Sequence, residues 1–101
     1  MTVRVLTTPR ADAEAHRAAK WWRQNRLAAP DLFEDELQDA IELLTETPDA
    51  GHERPLPGCE RLRVLMLRRS RYHVYYEHDP ASATVMIRAI WSAVRGQPPR
   101  L

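Results

Sequence analysis

The chain has 101 residues, of which 44% are apolar, and it carries 15 basic residues against 14 acidic ones and a single cysteine. This length fits one core, so we expect a single domain over residues 1–101. No apolar run approaches the roughly 20 residues that cross a bilayer, and the N-terminus lacks a signal-peptide core. We therefore expect a cytoplasmic protein without membrane contact, and the lone Cys59 agrees with a reducing compartment.

Charge is unevenly distributed along the chain. Residues 1–60 carry 7 basic and 12 acidic residues, a balance of −5, whereas residues 61–101 carry 8 arginines and two acidic residues, a balance of +6. Two interpretations are open. The second part binds an acidic or polyanionic partner, or two faces of one domain neutralise each other.

The first half of the chain predicts a strand followed by two helices. Residues 2–7 alternate as a strand does, and Thr8-Pro9 is typical of a helix start because Thr caps the helix and Pro fits its first position. Pro30-Asp31 opens a second helix by the same logic, with an apolar face over residues 33–44 and an end before Pro48. So short a connection between the helices predicts a helical hairpin.

The second half predicts strands. Residues 52–60 contain two prolines and a glycine and predict a loop, after which apolar residues alternate in three short segments. The last of these segments places Val85, Ile87, Ala89 and Trp91 on one face. Short connections make the three strands an antiparallel meander. The order β-α-α-β-β-β predicts an α+β fold, in which the helical hairpin packs on a small antiparallel sheet.

Several of these features occur together in one known protein family. They are the strand ending in Thr-Pro, Trp22 followed by Gln24-Asn25-Arg26, residues 33–44 with Pro48 and Gly51, Pro57-Gly58 with Arg61, the strand 72–76, and the closing segment 90–95. In this order they resemble the RelE/ParE superfamily of toxins from type II toxin–antitoxin systems. The long hairpin and short C-terminus are more similar to the ParE branch. The resemblance implies a toxin that binds a cognate antitoxin, with a hetero-oligomer as the expected complex. We expect no cofactor.

The two branches differ in their chemistry. RelE-like toxins cut messenger RNA in the ribosome, which requires a base for the ribose 2′-hydroxyl, cations for the phosphorane charge and an acid for the leaving oxygen. The family's lysine positions are occupied here by Val64 and Met66, its strand arginine by His73, and its late tyrosine has no counterpart. Only Arg95 stands where a late arginine is expected. The resemblance therefore favours a ParE-like protein that inhibits DNA gyrase without catalysis. The alternatives are a ribonuclease that uses Arg68, His73 and Arg95, or an inactive relative that acts as a binding module.

A candidate binding surface lies on and around the predicted meander. It consists of seven arginines and one tyrosine, namely Arg61, Arg63, Arg68, Arg69, Arg71, Tyr75, Arg88 and Arg95. These residues would bind phosphates or an acidic protein, and the alternative is a solvated face paired with the acidic helices. The three arginines of residues 68–71 favour a functional role because acidic residues are missing from the sequence around them.

The aromatic residues divide between core and surface. We expect Trp22 in the core and Trp21 half exposed, since it lies about 100° away on the helix. Tyr72 and Tyr76 share a face with Val74 and are expected to pack against the hairpin, which leaves Tyr75 exposed. No metal site is expected, because neither His52 with Cys59 nor His73 with His78 offers more than two ligands.

Overall fold

Two helices pack on a five-stranded sheet in residues 2–101, the part of the chain that the computed structural model describes. The elements are β1 (Arg4–Thr7), α1 (Pro9–Asn25), α2 (Leu32–Glu46), β2 (His52–Glu53), β3 (Leu62–Leu67), β4 (Tyr72–Asp79) and β5 (Thr84–Ser92), followed by a 3-10 turn at Ala93–Arg95. The predicted α+β class with the hairpin on the sheet is confirmed. Within residues 2–101, no helix is long and apolar enough to cross a membrane.

The sheet is mixed, with strand order β1-β5-β4-β3-β2. Strands β2 to β5 pair antiparallel as neighbours, but β1 joins β5 in parallel. Short turns force neighbouring strands to pair antiparallel. The connection from β1 to β5 runs through most of the chain, so β1 can pair with β5 in either direction. Strand β2 also corrects the prediction of a loop over residues 52–60, because His52 pairs with Val64 and Glu53 with Arg63.

Helix α1 begins as predicted. The Thr8 Oγ1 accepts a hydrogen bond from the Ala11 N–H at 3.1 Å, and Pro9 occupies the first helical position. A capping hydroxyl of this kind satisfies one of the N–H groups that a helix start leaves free. The buried face of α1 consists of alanines and Trp22, so the helix can lie close to the sheet.

One apolar cluster lies between the helices and the sheet, and we call it the helix-side cluster. Its buried members are Ala11, Ala18, Ala19, Trp22, Phe33, Ala40, Leu44, Leu67, Val74, Tyr76, Val85, Ile87 and Ile90. As predicted, Tyr76 is buried here and Trp22 is 8% exposed, whereas Trp21 is 42% exposed. Tyr72 packs against the same cluster.

A smaller cluster covers the opposite face of the sheet, and we call it the outer cluster. It contains Cys59, Leu62, Tyr75 and Ala89, with Leu101 packed against it. The expectation of an exposed Tyr75 is wrong, since this residue is only 2% exposed. Apolar residues of the 54–60 loop and of the C-terminus lie over this face and remove the tyrosine ring from water.

A β-bulge in β5 changes which side chains face the helices. Tyr75 pairs with Ala89 and Tyr76 with Ile87, so Arg88 is an extra residue between the two pairs. Ile87 and Ile90 therefore belong to the helix-side cluster, and Ala89 to the outer cluster. The predicted single face through Val85, Ile87, Ala89 and Trp91 is wrong beyond Ile87, because an inserted residue shifts a two-residue period by one.

The turn between α2 and β2 is fixed to the sheet at Gly51. The Gly51 N–H donates to the Tyr76 hydroxyl at 2.8 Å, and its carbonyl accepts from the Arg63 guanidinium at 2.7 Å. The glycine backbone approaches β3 so closely that a Cβ would lie 2.7 Å from the Val64 carbonyl oxygen. This contact ties the end of the hairpin to the centre of the sheet.

Candidate functional site

The turn between β3 and β4 carries three of the predicted arginines, and α2 holds it in place. The Glu36 carboxylate accepts hydrogen bonds from the Arg69 N–H at 2.9 Å and from the Ser70 N–H at 2.7 Å. The Arg71 N–H closes the turn on the Leu67 carbonyl. An acidic residue distant in sequence thus lies beside this turn, but it is bound to the backbone. Within residues 2–101, the guanidinium groups of Arg68, Arg69 and Arg71 form no salt bridge.

Two other predicted arginines are neutralised within the fold. Arg63 lies 3.5 Å from the Asp49 carboxylate and 3.6 Å from that of Glu53, and Arg88 pairs with Glu77. Their charge is therefore balanced locally, by carboxylates of the α2–β2 turn, of β2 and of β4 rather than by carboxylates of the helices. Arg61 is exposed and lines a separate cavity of about 260 Å³.

A groove of about 510 Å³, which we call the Ser70 groove, lies between the end of α1, the β3–β4 turn and the end of β5. Its lining includes Trp21, Arg26, Arg69, Ser70, Arg71, Tyr72 and Val94. Three arginines and no acidic residue line it within the described residues 2–101. Exposed apolar surface from Trp21 and Val94 is therefore combined with positive charge in one groove.

A second groove of about 350 Å³ continues the first, because both are lined by Trp21 and Tyr72. The lining of this second groove includes Glu14, Arg17 and Arg95. The Arg95 guanidinium carbon lies 4.1 Å from the centre of the Trp91 ring. Such a cation–π contact holds the arginine against the surface. Together the five arginines of the two grooves form what we call the arginine surface, namely Arg17, Arg26, Arg69, Arg71 and Arg95.

Sequence reasoning missed Arg17 and Arg26 because both lie in the half of the chain with an acidic balance. Helical spacing could have placed Arg17 at this surface, since it lies four residues before the exposed Trp21 and therefore on the same helix face. Arg26 stacks on both tryptophan rings, with its guanidinium carbon 4.9 Å from the centre of Trp21 and 5.7 Å from that of Trp22.

A smaller cavity of about 160 Å³ lies on the outer face of the sheet and is lined by Arg54, His73, Tyr75 and Trp91, with tail residue Gln97. Burial, and then the Arg54 charge, lower the pKa of His73 below its ordinary value of 6.5. Burial raises the pKa of the Tyr75 hydroxyl, an effect that Arg54 opposes. At neutral pH the imidazole is therefore uncharged and can accept a proton, while the phenol stays protonated.

The structure only partly assembles the alternative ribonuclease set. His73 lies in the cavity, and Arg95 stacks on the Trp91 ring that lines it. Arg68 does not line this cavity. The cation beside His73 is instead Arg54, which sequence reasoning missed because it lies in the 52–60 segment, outside the predicted strands.

Comparison with solved structures finds the same fold in toxins of toxin–antitoxin systems. The toxin–antitoxin complex RelBE2 from Mycobacterium tuberculosis contains a chain with 20% identity and a TM-score of 0.64, covering 91% of this chain and 99% of that one. The chromosomal ParDE system from P. aeruginosa gives 18% identity and a TM-score of 0.62, covering 90% and 96%. A doubly substituted E. coli toxin RelE in the free state gives 20% and 0.55, covering 92% and 85%.

Comparison with sequence families is more specific. No significant match is found among curated proteins. The model of the ParE toxin of the type II toxin–antitoxin system parDE matches residues 5–95, which is most of the chain and includes both helices, strands β2 to β5 and all of β1 except its first residue. The chain therefore belongs to the ParE family of type II toxin–antitoxin toxins.

Proposed function

We propose that this protein stops growth by binding DNA gyrase in the cytoplasm, without a reaction of its own, and that a cognate antitoxin neutralises it. The arginine surface carries this proposal. Its five guanidinium groups form no salt bridge within residues 2–101, yet they line one continuous surface with an exposed tryptophan. Such a surface suits binding to an acidic protein or to an enzyme engaged with DNA.

The antitoxin is the partner proposed for the same surface. A segment that folds on binding would place apolar side chains in the grooves and acidic side chains against the arginines. The fold neighbours include the toxins of RelBE and ParDE systems, which supports an antitoxin partner and a hetero-oligomer. The unpaired charge gives this segment a favourable electrostatic encounter with the toxin.

One observation favours messenger RNA cleavage as a second candidate, namely Arg54 beside an uncharged His73. These two residues would supply a base and one cation for attack by the ribose 2′-hydroxyl. The acid for the leaving oxygen is the missing part, because burial raises the pKa of Tyr75 and makes its hydroxyl a poor proton donor. The cavity also lacks a lysine among the residues that the structure describes. Binding to gyrase needs none of these groups, and we prefer it for that reason.

Induced expression tests the toxin–antitoxin part of the proposal. The chain alone is expected to arrest growth of a bacterial host, and coexpression with the protein encoded beside its gene is expected to restore growth. The two proteins should also copurify as one complex. Unchanged growth with folded, soluble chain would contradict the proposal and favour an inactive binding module.

A further inference from the structure

Two neighbouring residues of the β3–β4 turn are unfavourable choices for stability. Ser70 is 5% exposed, and its hydroxyl has no hydrogen-bond partner within residues 2–101. Arg71 has a φ of 63°, in the left-handed region that favours glycine. Buried hydroxyls normally find partners, and residues other than glycine seldom adopt a positive φ.

Both residues line the Ser70 groove, and the backbone of the turn depends on neither side chain. The backbone of the turn is already fixed by Glu36 and by the Arg71 N–H bond to Leu67. A glycine at position 71 and an alanine at position 70 would serve this backbone as well or better. Ser70 and Arg71 instead add a hydroxyl and a guanidinium group to a groove that Arg26 also lines.

We propose that the Ser70 groove binds one acidic side chain of the antitoxin, a partner that rests on the proposed function. The carboxylate would lie between the Arg26 and Arg71 guanidinium groups, and the buried Ser70 hydroxyl would rotate toward the groove to donate a further hydrogen bond. Charge-assisted hydrogen bonds of this type are the strong ones, and arginine offers a planar pair of donors to a carboxylate. The Ser70 hydroxyl then forms a hydrogen bond only in the complex of toxin and antitoxin.

The apolar part of the groove indicates which type of antitoxin residue lies next to the acidic one. Trp21 is 42% exposed and Val94 is 75% exposed, so a leucine-like side chain beside the carboxylate would bury both. The Arg26 guanidinium carbon lies 4.9 Å from the centre of the Trp21 ring, so a nucleic-acid base could not stack on that face of the ring. An acidic residue next to an apolar one, on a peptide, fits this surface better than a phosphodiester chain does.

Ser70→Ala and Arg71→Gly test the inference because their effects on binding and on stability should differ. Each is expected to weaken the affinity for the antitoxin encoded beside the gene about tenfold, measured by titration calorimetry. Neither should lower the melting temperature of the free toxin, since one removes an unsatisfied hydroxyl and the other relieves backbone strain. A purely structural role would produce the opposite pattern.

Two control variants match these changes outside the groove. Ala83 has a φ of 53°, so Ala83→Gly should relieve similar strain and leave affinity unchanged. Arg4→Gln removes one exposed charge from β1, distant in the sheet order from β3, and should also leave affinity within twofold.

Three results would overturn the inference. Antitoxin binding that is unchanged in Ser70→Ala and Arg71→Gly rejects the groove as the carboxylate site and leaves the proposed function intact. Variants that keep antitoxin affinity but lose binding to a DNA or RNA duplex assign the groove to nucleic acid. Failure of the wild-type toxin to bind the antitoxin rejects the inference and the antitoxin partner together.

Discussion

Replacing Gly51 by alanine is expected to lower the free energy of unfolding by about 3 kcal/mol. The new Cβ would lie 2.7 Å from the Val64 carbonyl oxygen and 2.8 Å from the Tyr76 hydroxyl, and the first of these atoms belongs to the backbone of the sheet. The turn must then move away, which breaks the bond from the Gly51 N–H to the Tyr76 hydroxyl. Urea denaturation of purified protein measures the change.

Gly58→Ala is the matched control for this substitution. Gly58 has a φ of +80° but no atom within 4 Å of an added Cβ, so only backbone strain of about 1 kcal/mol is expected. Equal losses in the two variants would contradict the close approach at Gly51. A loss at Gly51 that disappears in the background of Tyr76→Phe would instead assign the effect to the hydroxyl.

Replacing Phe33 by alanine is expected to lower the free energy of unfolding by about 4 kcal/mol, a large part of the total for a domain of this size. Phe33 is 1% exposed, and its ring centre lies 4.9 Å from that of Tyr72 in an edge-to-face arrangement. The contact joins α2 to the start of β4. Since Tyr72 lines both grooves, the same variant should also weaken antitoxin binding.

Phe33→Leu separates these effects. It retains most of the buried volume and should cost about 1.5 kcal/mol in denaturation experiments, so the chain stays folded. A cost below 1 kcal/mol for the alanine variant would show that the helix-side cluster does not depend on this ring.

Local sequence signals predicted the elements that depend on local chemistry. Thr8 and Pro9 define the start of α1 through one hydrogen bond and one fixed dihedral angle, and both are visible in the sequence. The positions of Trp21 and Trp22 follow from helical spacing alone. Interactions between residues close in sequence determine the helical hairpin and the meander. The family resemblance implies the same elements.

Features that depend on distant segments could not be predicted in this way. The bulge at Arg88 inserts one residue into a regular alternation and carries no sequence signature of its own. Tyr75 is buried because apolar residues of the 54–60 loop and of the C-terminus cover the outer face of the sheet. The cavity on the outer face could not be predicted for the same reason, since Arg54 reaches His73 only through the folding of a proline-rich segment.

Division of the chain at residue 60 does not separate the arginines that form salt bridges from those that do not. Arg63 and Arg88 belong to the basic half but are neutralised by carboxylates, whereas Arg17 and Arg26 belong to the acidic half and join the unpaired arginines. Net charge along the sequence does not distinguish paired from unpaired groups. Only the three-dimensional arrangement shows which arginines are available to a partner.

We propose that the protein inhibits gyrase by binding and does not cut RNA. The most direct test adds the purified chain to DNA gyrase with relaxed plasmid, and in parallel to a translation reaction whose messenger RNA ends are mapped. We expect supercoiling to be blocked, trapped cleaved DNA to accumulate and the messenger RNA to remain intact. Cleavage of the messenger RNA at codon-defined positions, with supercoiling unaffected, would show instead that the protein is a ribonuclease.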